Sequence, residues 1–214
     1  MEKFFTINTV DSLALALPEE AVLSRLGRNR FLTVIDRALS VKLRLAMQKA
    51  FELCHACGRW KLLTVSEHNP GMTVLDGCWQ INSTRFAEFL QNSRYVFLGA
   101  VTVGNDLPQT VELAQKAGNM VEAAVFDAVG SECADLAMEL LQKFATTELA
   151  RYGITLSKQR FSAGYGGVEL FHQQEIFKQL ELEKLNISLT ETFIMQPEKS
   201  VTAFVPADIT GAVQ

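Results

Sequence analysis

Residues Arg160–Gly167 read Arg-Phe-Ser-Ala-Gly-Tyr-Gly-Gly, which places one fixed cation, an aromatic hydroxyl and three glycines within eight residues. Glycine lets the backbone approach a bound molecule, and a guanidinium can hold a carboxylate through two parallel hydrogen bonds. Tyr165 adds a stacking face with a polar end. The pattern is typical of a ligand-binding loop, but a glycine-rich β-turn beside a surface arginine has the same composition, and the loop alone leaves both interpretations open.

A second segment decides between these interpretations. Residues Leu189–Val201 read Leu-Thr-Glu-Thr-Phe-Ile-Met-Gln-Pro-Glu-Lys-Ser-Val. Together with Arg160-x-x-x-Gly-Tyr, this segment resembles the activation domain of cobalamin-dependent methionine synthase. In that family a similar Arg-x-x-x-Gly-Tyr loop precedes a helix and then a Leu-Thr-Glu-Ser-Phe-x-Met-x-Pro turn that ends in Ser-Val. The resemblance covers residues 160–203, and it extends more weakly to the helix that carries residues 127–132.

The resemblance implies both a fold and a ligand. It implies an α+β fold in which helices flank a twisted antiparallel sheet. Domains of this family bind S-adenosylmethionine (AdoMet), and the arginine of the loop contacts it. By this match Arg160 is the first candidate for the AdoMet site, with Ala163, Gly164 and Tyr165 beside it.

An acidic residue on the long helix of the family also reaches AdoMet. An ungapped alignment puts that position at Ser131 or at Glu132, and we choose Glu132 because a carboxylate there can accept hydrogen bonds from the ligand amine or ribose. A solvated charge on a helix surface is an equally good interpretation of Glu132.

Two features of the family are missing from this chain. The family domain begins with an Asp-containing segment that contributes to the AdoMet site, and residues 1–20 contain no counterpart. The family also has a tyrosine pair beyond the Ser-Val strand, whereas this chain has no tyrosine there. Phe204 is the candidate to supply the missing aromatic surface. These departures support an alternative, a non-enzymatic module that docks onto a corrinoid protein without binding AdoMet.

The chemistry implied by the resemblance needs a partner. The family assists the reduction of an inert Co(II) cobalamin and its methylation by AdoMet, and the cofactors supply that chemistry. This chain has no cobalamin-binding Asp-x-His-x-x-Gly motif. We therefore expect the cobalamin to come from a partner, either a corrinoid protein or a methionine synthase core, with an electron donor protein as a further possible partner. No residue of this chain is assigned a catalytic role.

Composition limits the other functions. The 214 residues have a formal net charge of -4, which argues against a broad nucleic-acid-binding face. The N-terminus has no signal-peptide pattern, and no run approaches the roughly 20 apolar residues that a membrane span requires. We expect a cytoplasmic protein with reduced cysteines and no membrane partner. We also expect a single domain over residues 1–214, with an N-terminal lobe (1–92) and a lobe that carries the motifs (93–214).

Apolar periodicity and capping signals predict the elements of this domain. The predicted helices cover residues 16–26, 35–56, 83–90, 120–152 and 171–185, with a further helix that starts at 105–106. The predicted strands cover residues 60–65, 72–75, 95–103, 154–158, 189–195 and 201–205. Gly58 is expected to end the second helix, and residues 197–199 are expected to form a hairpin turn. Gly130 lies inside the long helix, so we expect another group to approach the backbone closely there.

Cysteines suggest a weaker alternative. Cys54-His-Ala-Cys57 invites a zinc or redox interpretation, with Cys78, His55 and His68 as further ligands. A lone Cys-x-x-Cys pair at a helix end more often places thiols in the core, so we predict no metal and a structural role for these cysteines.

Two other groups of polar residues are weighed in the same way. Asp127, Asp135 and Glu139 share the long helix at spacings of four or eight residues, which suggests either a carboxylate metal site or, more simply, a solvated acidic face. His172 follows the loop and is a possible base, although a polar residue in the first turn of a helix is the simpler interpretation.

Overall fold

The computed structural model describes residues 1–28, 36–91 and 93–209, in which helices and strands interleave. The strands are β1 (Asn8–Val10), β2 (Cys57–Asn69), β3 (Met72–Leu75), β4 (Trp79–Asn82), β5 (Tyr95–Thr102), β6 (Ile154–Leu156), β7 (Ser188–Leu189), β8 (Met195–Gln196) and β9 (Ser200–Ile209). The α-helices are α1 (Glu19–Arg25), α2 (Arg37–Glu52), α3 (Thr84–Leu90), α4 (Asp106–Lys116), α5 (Met120–Ala150) and α6 (Gln173–Leu180).

The strands form an antiparallel sheet in the order β4–β3–β2–β5–β9–β6. The long strand β2 pairs with β5 along one edge, and its other edge is shared by β1 near Gly58 and by β3 beyond Val65. β5 and β9 therefore join early and late parts of the chain in the same sheet. The α+β fold with a twisted antiparallel sheet and flanking helices, expected from the sequence, is confirmed.

Both faces of the sheet are covered. Helices α2, α4 and α5 pack on one face together with Phe97 and Val101 of β5, and we call it the α5 face. Helices α3 and α6 pack on the other face with Leu98 and Ala100, and we call it the α6 face. Since β5 is buried on both sides, it needs apolar residues at successive positions, which explains the unbroken apolar run that predicted a buried strand.

The predicted helices are largely confirmed. α5 occupies nearly the whole predicted range, α1 begins directly after Pro18, and the Ser83 hydroxyl caps α3 by accepting a hydrogen bond from the Phe86 amide at 3.1 Å. Asp36 caps α2, and its predicted first residue, Ile35, lies outside the described residues. None of the described helices is both long and apolar enough to cross a bilayer.

The close approach expected at Gly130 is confirmed. A Cβ placed on Gly130 would lie 2.8 Å from Leu107 Cδ2 and 3.0 Å from Lys199 Cγ. Glycine lowers the stability of a helix, but the absence of a Cβ at Gly130 lets the side chain of Lys199 lie against the helix backbone.

The end of the second helix was predicted wrongly. α2 ends at Glu52, and Gly58 lies inside β2 rather than at a helix end. A Cβ on Gly58 would come within 2.9 Å of the Ala100 carbonyl oxygen in β5. Gly58 is therefore required for close strand packing and not for a helix stop.

The segment after the loop differs most from prediction. The helix predicted over 171–185 is α-helical only in α6, because Glu181 adopts a left-handed conformation with φ 47° and a 3-10 turn follows. The strand predicted over 189–195 is wrong as well. Thr190 Oγ1 accepts a hydrogen bond from the Ile194 amide at 3.0 Å, and this bond closes a turn between β7 and β8. The hairpin turn predicted at 197–199 is therefore wrong, since β8 pairs with β7 and not with β9.

Candidate functional site

The Arg160–Gly167 loop is anchored along the edge of β9. Phe161 and Phe204 exchange two backbone hydrogen bonds of 2.9 and 2.8 Å, and the Ser162 hydroxyl donates to the Thr202 carbonyl at 2.9 Å. The Phe161 ring packs against Phe86 with ring centroids 5.3 Å apart. The first half of the loop therefore continues the sheet and is fixed to the core.

The second half of the loop is a closed turn that requires its glycines. The Gly164 amide donates to the Val168 carbonyl at 2.8 Å, and the Ser83 hydroxyl donates to the Gly166 carbonyl at 2.7 Å. Gly164, Gly166 and Gly167 all have positive φ, at 92°, 55° and 84°. A Cβ on Gly166 would lie 2.5 Å from a Phe161 ring carbon. The repeated glycines therefore serve a specific backbone conformation.

The polar side chains of the loop lie outside this frame. Tyr165 is 74% exposed, and Arg160 is exposed as well, whereas Ala163 is buried. Within residues 1–28, 36–91 and 93–209 the Arg160 guanidinium forms no ion pair or hydrogen bond. A rigid backbone thus presents a cation and an aromatic side chain to solvent.

Glu132 lies on α5 and already has a partner. Its Oε1 accepts a hydrogen bond from Arg25 Nε at 2.6 Å, and a second nitrogen of Arg25 lies 3.6 Å from Asp135 Oδ2. The hydrogen bond to Glu132 raises the pKa of Arg25. In the described part of the chain, no hydrogen bond or ion pair joins Glu132 to the Arg160–Gly167 loop.

Phe204 does not supply an exposed aromatic surface, so that expectation is wrong. It is fully buried on the α6 face, with ring centroids 5.1 Å from Phe86 and 5.5 Å from Trp79. In the sheet it pairs directly with Phe161, the second residue of the loop, so its ring is covered although its backbone borders the loop.

The second motif contributes a buried cation that the sequence did not single out. Lys199 is only 7% exposed, and its Nζ lies 2.6 Å from Asp127 Oδ1 and 3.2 Å from Ser131 Oγ. Beside this pair a groove of about 810 Å³ runs between α4 and the segment Gln196–Glu198. Its walls are rich in amides and carboxylates, including Gln109 and Glu112.

The architecture matches that of a solved domain. The structure superposes on the crystal structure of the MetH reactivation domain bound to AdoHcy with a TM-score of 0.66, over 97% of this chain and 80% of that one, at 14% sequence identity. This chain has the MetH reactivation-domain fold. No family model matches the sequence, and no curated protein matches it at a significant level.

Within the reactivation-domain fold, Cys54 and Cys57 are separated. Cys54 packs on the α5 face and Cys57 on the α6 face. The Cys54 thiol donates to the Ala50 carbonyl at 3.6 Å, and the neighbouring thiol of Cys133 lowers the pKa of Cys54 while the pKa of Cys133 itself is raised. Burial raises the pKa of Cys57. The arrangement gives these thiols packing roles on different sides of the sheet.

The other candidate ligands are also dispersed. His55 faces Asp106 with 3.6 Å between Nε2 and Oδ2, and His68 lies 3.4 Å from the Thr73 hydroxyl. Asp127 and Asp135 pair with different cations, as described above. Among the described residues, no three His, Cys, Asp or Glu side chains converge as they would around a metal ion.

His172 directly precedes α6, close to the first-turn position that the sequence suggested. It is 8% exposed, and its Nδ1 accepts a hydrogen bond from the Trp79 indole at 3.1 Å. Burial lowers the pKa of His172, so the neutral imidazole is favoured.

Proposed function

We propose that this protein binds AdoMet at the Arg160–Gly167 loop and thereby supports the reductive methylation of a cobalamin carried by a partner protein. The observation that carries the proposal is the similarity over 97% of the chain to a reactivation domain bound to AdoHcy. AdoHcy is the molecule that remains when AdoMet gives up its methyl group, so the two ligands share the carboxylate, amine, ribose and adenine.

The loop fits the polar groups of such a ligand. The Arg160 guanidinium can hold the ligand carboxylate through two parallel bonds, since it has no competing partner among the described residues. Tyr165 offers an exposed ring for stacking on the adenine. The bonds from the loop to Ser83 and β9 hold the backbone in place before the ligand arrives, which reduces the ordering cost of binding.

The part played by this chain is positional. When bound, the partner's cobalamin supplies the cobalt that accepts the methyl group of AdoMet. The loop residues would hold AdoMet by its carboxylate and adenine, so that the sulfonium methyl faces the docked partner. Orientation of this kind accelerates a reaction without acid or base catalysis. The partner proposed is a corrinoid protein or a methionine synthase core, with an electron donor protein as a further partner.

Calorimetric titration with AdoMet and with AdoHcy tests the ligand assignment. Loss of a charge-assisted bond to the carboxylate should weaken binding by roughly ten- to a hundredfold in Arg160→Ala. Lys158→Ala is the matched control, because Lys158 is an exposed cation two residues earlier on the same edge, and its affinity should equal that of the wild type. Equal binding by Arg160→Ala and wild type would overturn the role of Arg160.

Two observations favour a second function, a docking module that no longer binds AdoMet. Glu132 is already neutralised by Arg25, and Phe204 is fully buried. Glu132 is therefore already engaged where the family places its acidic helix residue, and Phe204 cannot replace the missing tyrosine pair. In this case the calorimetric titration gives no heat for either ligand, while the chain still binds a corrinoid protein in a pull-down without AdoMet.

A further inference from the structure

A groove of about 480 Å³ lies between α2 and the corner where α4 meets α5. One wall is formed by α2, with Leu39 and Lys42, and the other by the start of α5, with Met120–Glu122. None of the residues that line the groove belongs to the Arg160–Gly167 loop. The groove is therefore distinct from the residues assigned to AdoMet.

Both walls of this groove expose large apolar side chains. Met120 and Val121 are 61% and 70% exposed on the α5 wall, and Leu39 is 43% exposed on the α2 wall. The fully buried residues of α2, Met47 and Ala50, belong to its later half. Exposed apolar side chains on both sides of one groove form a patch of the kind that marks a contact with another protein.

The exposed side chains of the α5 wall are held in place by the turn before them. Gly118 has φ 79°, and the Asn119 amide donates to the Ala114 carbonyl at 2.9 Å, so the end of α4 is capped. α5 begins directly at Met120. A partner therefore meets Met120 and Val121 on an ordered backbone, which lowers the cost of binding.

The two walls carry charges of opposite sign. Lys42 on the α2 wall is exposed and forms no ion pair or hydrogen bond with the described residues. Glu122 on the α5 wall has its Oε1 3.8 Å from the Lys49 ammonium. Among the described residues that line the groove, only Lys42 and Glu122 are charged. A partner that matches this rim presents a carboxylate opposite Lys42 and a cation opposite Glu122.

We propose that this groove is the interface of a homodimer, in which a two-fold axis runs along the groove. Such an axis places the α2 wall of each copy over the α5 wall of the other, and every contact occurs twice. Leu39 of one copy then packs against Met120 and Val121 of the other, and Lys42 of one copy faces Glu122 of the other. An axis across the groove would instead set α2 against α2 and bring the two copies of Lys42 together. The proposal is independent of AdoMet binding.

The shape of the patch favours a second copy over an anionic membrane, which also attracts apolar and basic residues. A helix that lies in a bilayer surface inserts a projecting apolar face into the lipid. Here the apolar side chains instead border a groove, which receives side chains from the partner. The carboxylate of Glu122 on the rim also repels anionic headgroups.

Sedimentation velocity over about 1–200 µM protein tests the proposal, and we expect a reversible monomer–dimer equilibrium with a Kd on the order of 10 µM. Lys42→Glu and Glu122→Lys each place like charges together in both copies of the contact, so each should raise this Kd roughly five- to fiftyfold. Lys143→Glu is the matched control, because Lys143 is an exposed cation farther along α5 and the change in net charge equals that of Lys42→Glu. Its Kd should equal that of the wild type.

Val121→Ser tests the apolar part of the interface. Val121 is 70% exposed, so its replacement leaves the core intact, and the apolar contact is lost at both copies. The Kd should rise roughly tenfold. Phe144→Ser is the matched control, because Phe144 is 47% exposed on the same helix and lies roughly 35 Å away along it. Equal effects of these two substitutions would overturn the assignment.

Mixing Lys42→Glu with Glu122→Lys in equal amounts tests the direction of the axis. In a mixed dimer one contact joins the two introduced side chains, which are opposite in charge, and the other joins the native Lys42 and Glu122. A heterodimer should therefore form at concentrations where each variant alone is monomeric. The proposal is overturned if the wild type stays monomeric up to about 200 µM, if neither charge variant weakens the dimer, or if the mixture forms no heterodimer. A monomer that binds phosphatidylserine vesicles through Val121 would assign the patch to a membrane surface instead.

Discussion

The Gly166→Ala substitution tests how the loop is built, because two separate costs meet at this residue. The backbone of Gly166 has φ 55°, a conformation that costs an L-residue roughly 1–2 kcal/mol. The added Cβ would also lie 2.5 Å from a Phe161 ring carbon. That ring is held against Phe86 and Phe89, with centroids 5.3 Å away in each case, so it cannot move aside without disturbing the core. Overpacking of this kind costs roughly 1–3 kcal/mol, and the two terms together give about 2–5 kcal/mol.

Gly153→Ala is the matched control for that substitution. Gly153 also has a positive φ, of 71°, but a Cβ there would meet nothing within 4 Å. Only the backbone term of about 1–2 kcal/mol should appear. The free energy of unfolding of both variants is measured by urea denaturation, with circular dichroism as the signal. If Gly166→Ala is no more destabilising than Gly153→Ala, then the loop is not packed against Phe161 as described.

Three further predictions follow from the buried polar groups. Asp127→Ala leaves the buried Lys199 ammonium without its carboxylate partner, and it should lower the free energy of unfolding by about 1–3 kcal/mol. Lys199→Met should lower it less, because it removes the buried charge itself. A larger loss for Lys199→Met in urea denaturation would contradict this reasoning. Because the pKa of His172 is lowered in the folded protein, the unfolded chain takes up a proton at a higher pH than the folded chain does. The contribution of the neutral His172 to stability is therefore complete above about pH 6.5 and is lost as the pH falls below that value. The free energy of unfolding of the wild type should fall more than that of His172→Gln between about pH 7.5 and about pH 5.5. Replacing Cys54 and Cys57 together by Ala should lower stability while AdoMet affinity stays unchanged in calorimetry, and stoichiometric zinc in the purified wild type would contradict the structural role.

The core strands and the long helix could be predicted from the sequence because local patterns determine them. The apolar run of β5 reflects burial on both faces. The glycine within the helical pattern at Gly130 predicted a close approach to the backbone, and Lys199 makes that approach. These elements need only the spacing of residue types along the chain. The fold class, by contrast, was implied by the family resemblance that the two motifs carry.

Other features depend on partners that are distant in sequence. The bond from Arg25 to Glu132 joins residues 107 positions apart, and the one from Trp79 to His172 spans 93. Neither pairing leaves a periodic signal, so the sequence revealed neither the Arg25 partner of Glu132 nor the burial of His172. The β7–β8 turn was missed for a local reason, since a side chain of Thr190 replaces a backbone acceptor there.

The activation role is tested most directly by the rate at which a partner's cobalamin is methylated. A Co(II) corrinoid protein, a low-potential reductant and AdoMet are mixed with and without this chain, and the cobalamin absorption spectrum is followed. The account predicts a faster spectral change with the wild-type chain and a loss of that acceleration with Arg160→Ala but not with Lys158→Ala. Equal rates with and without the chain, across candidate corrinoid proteins, would contradict the activation role and leave the docking module as the better account.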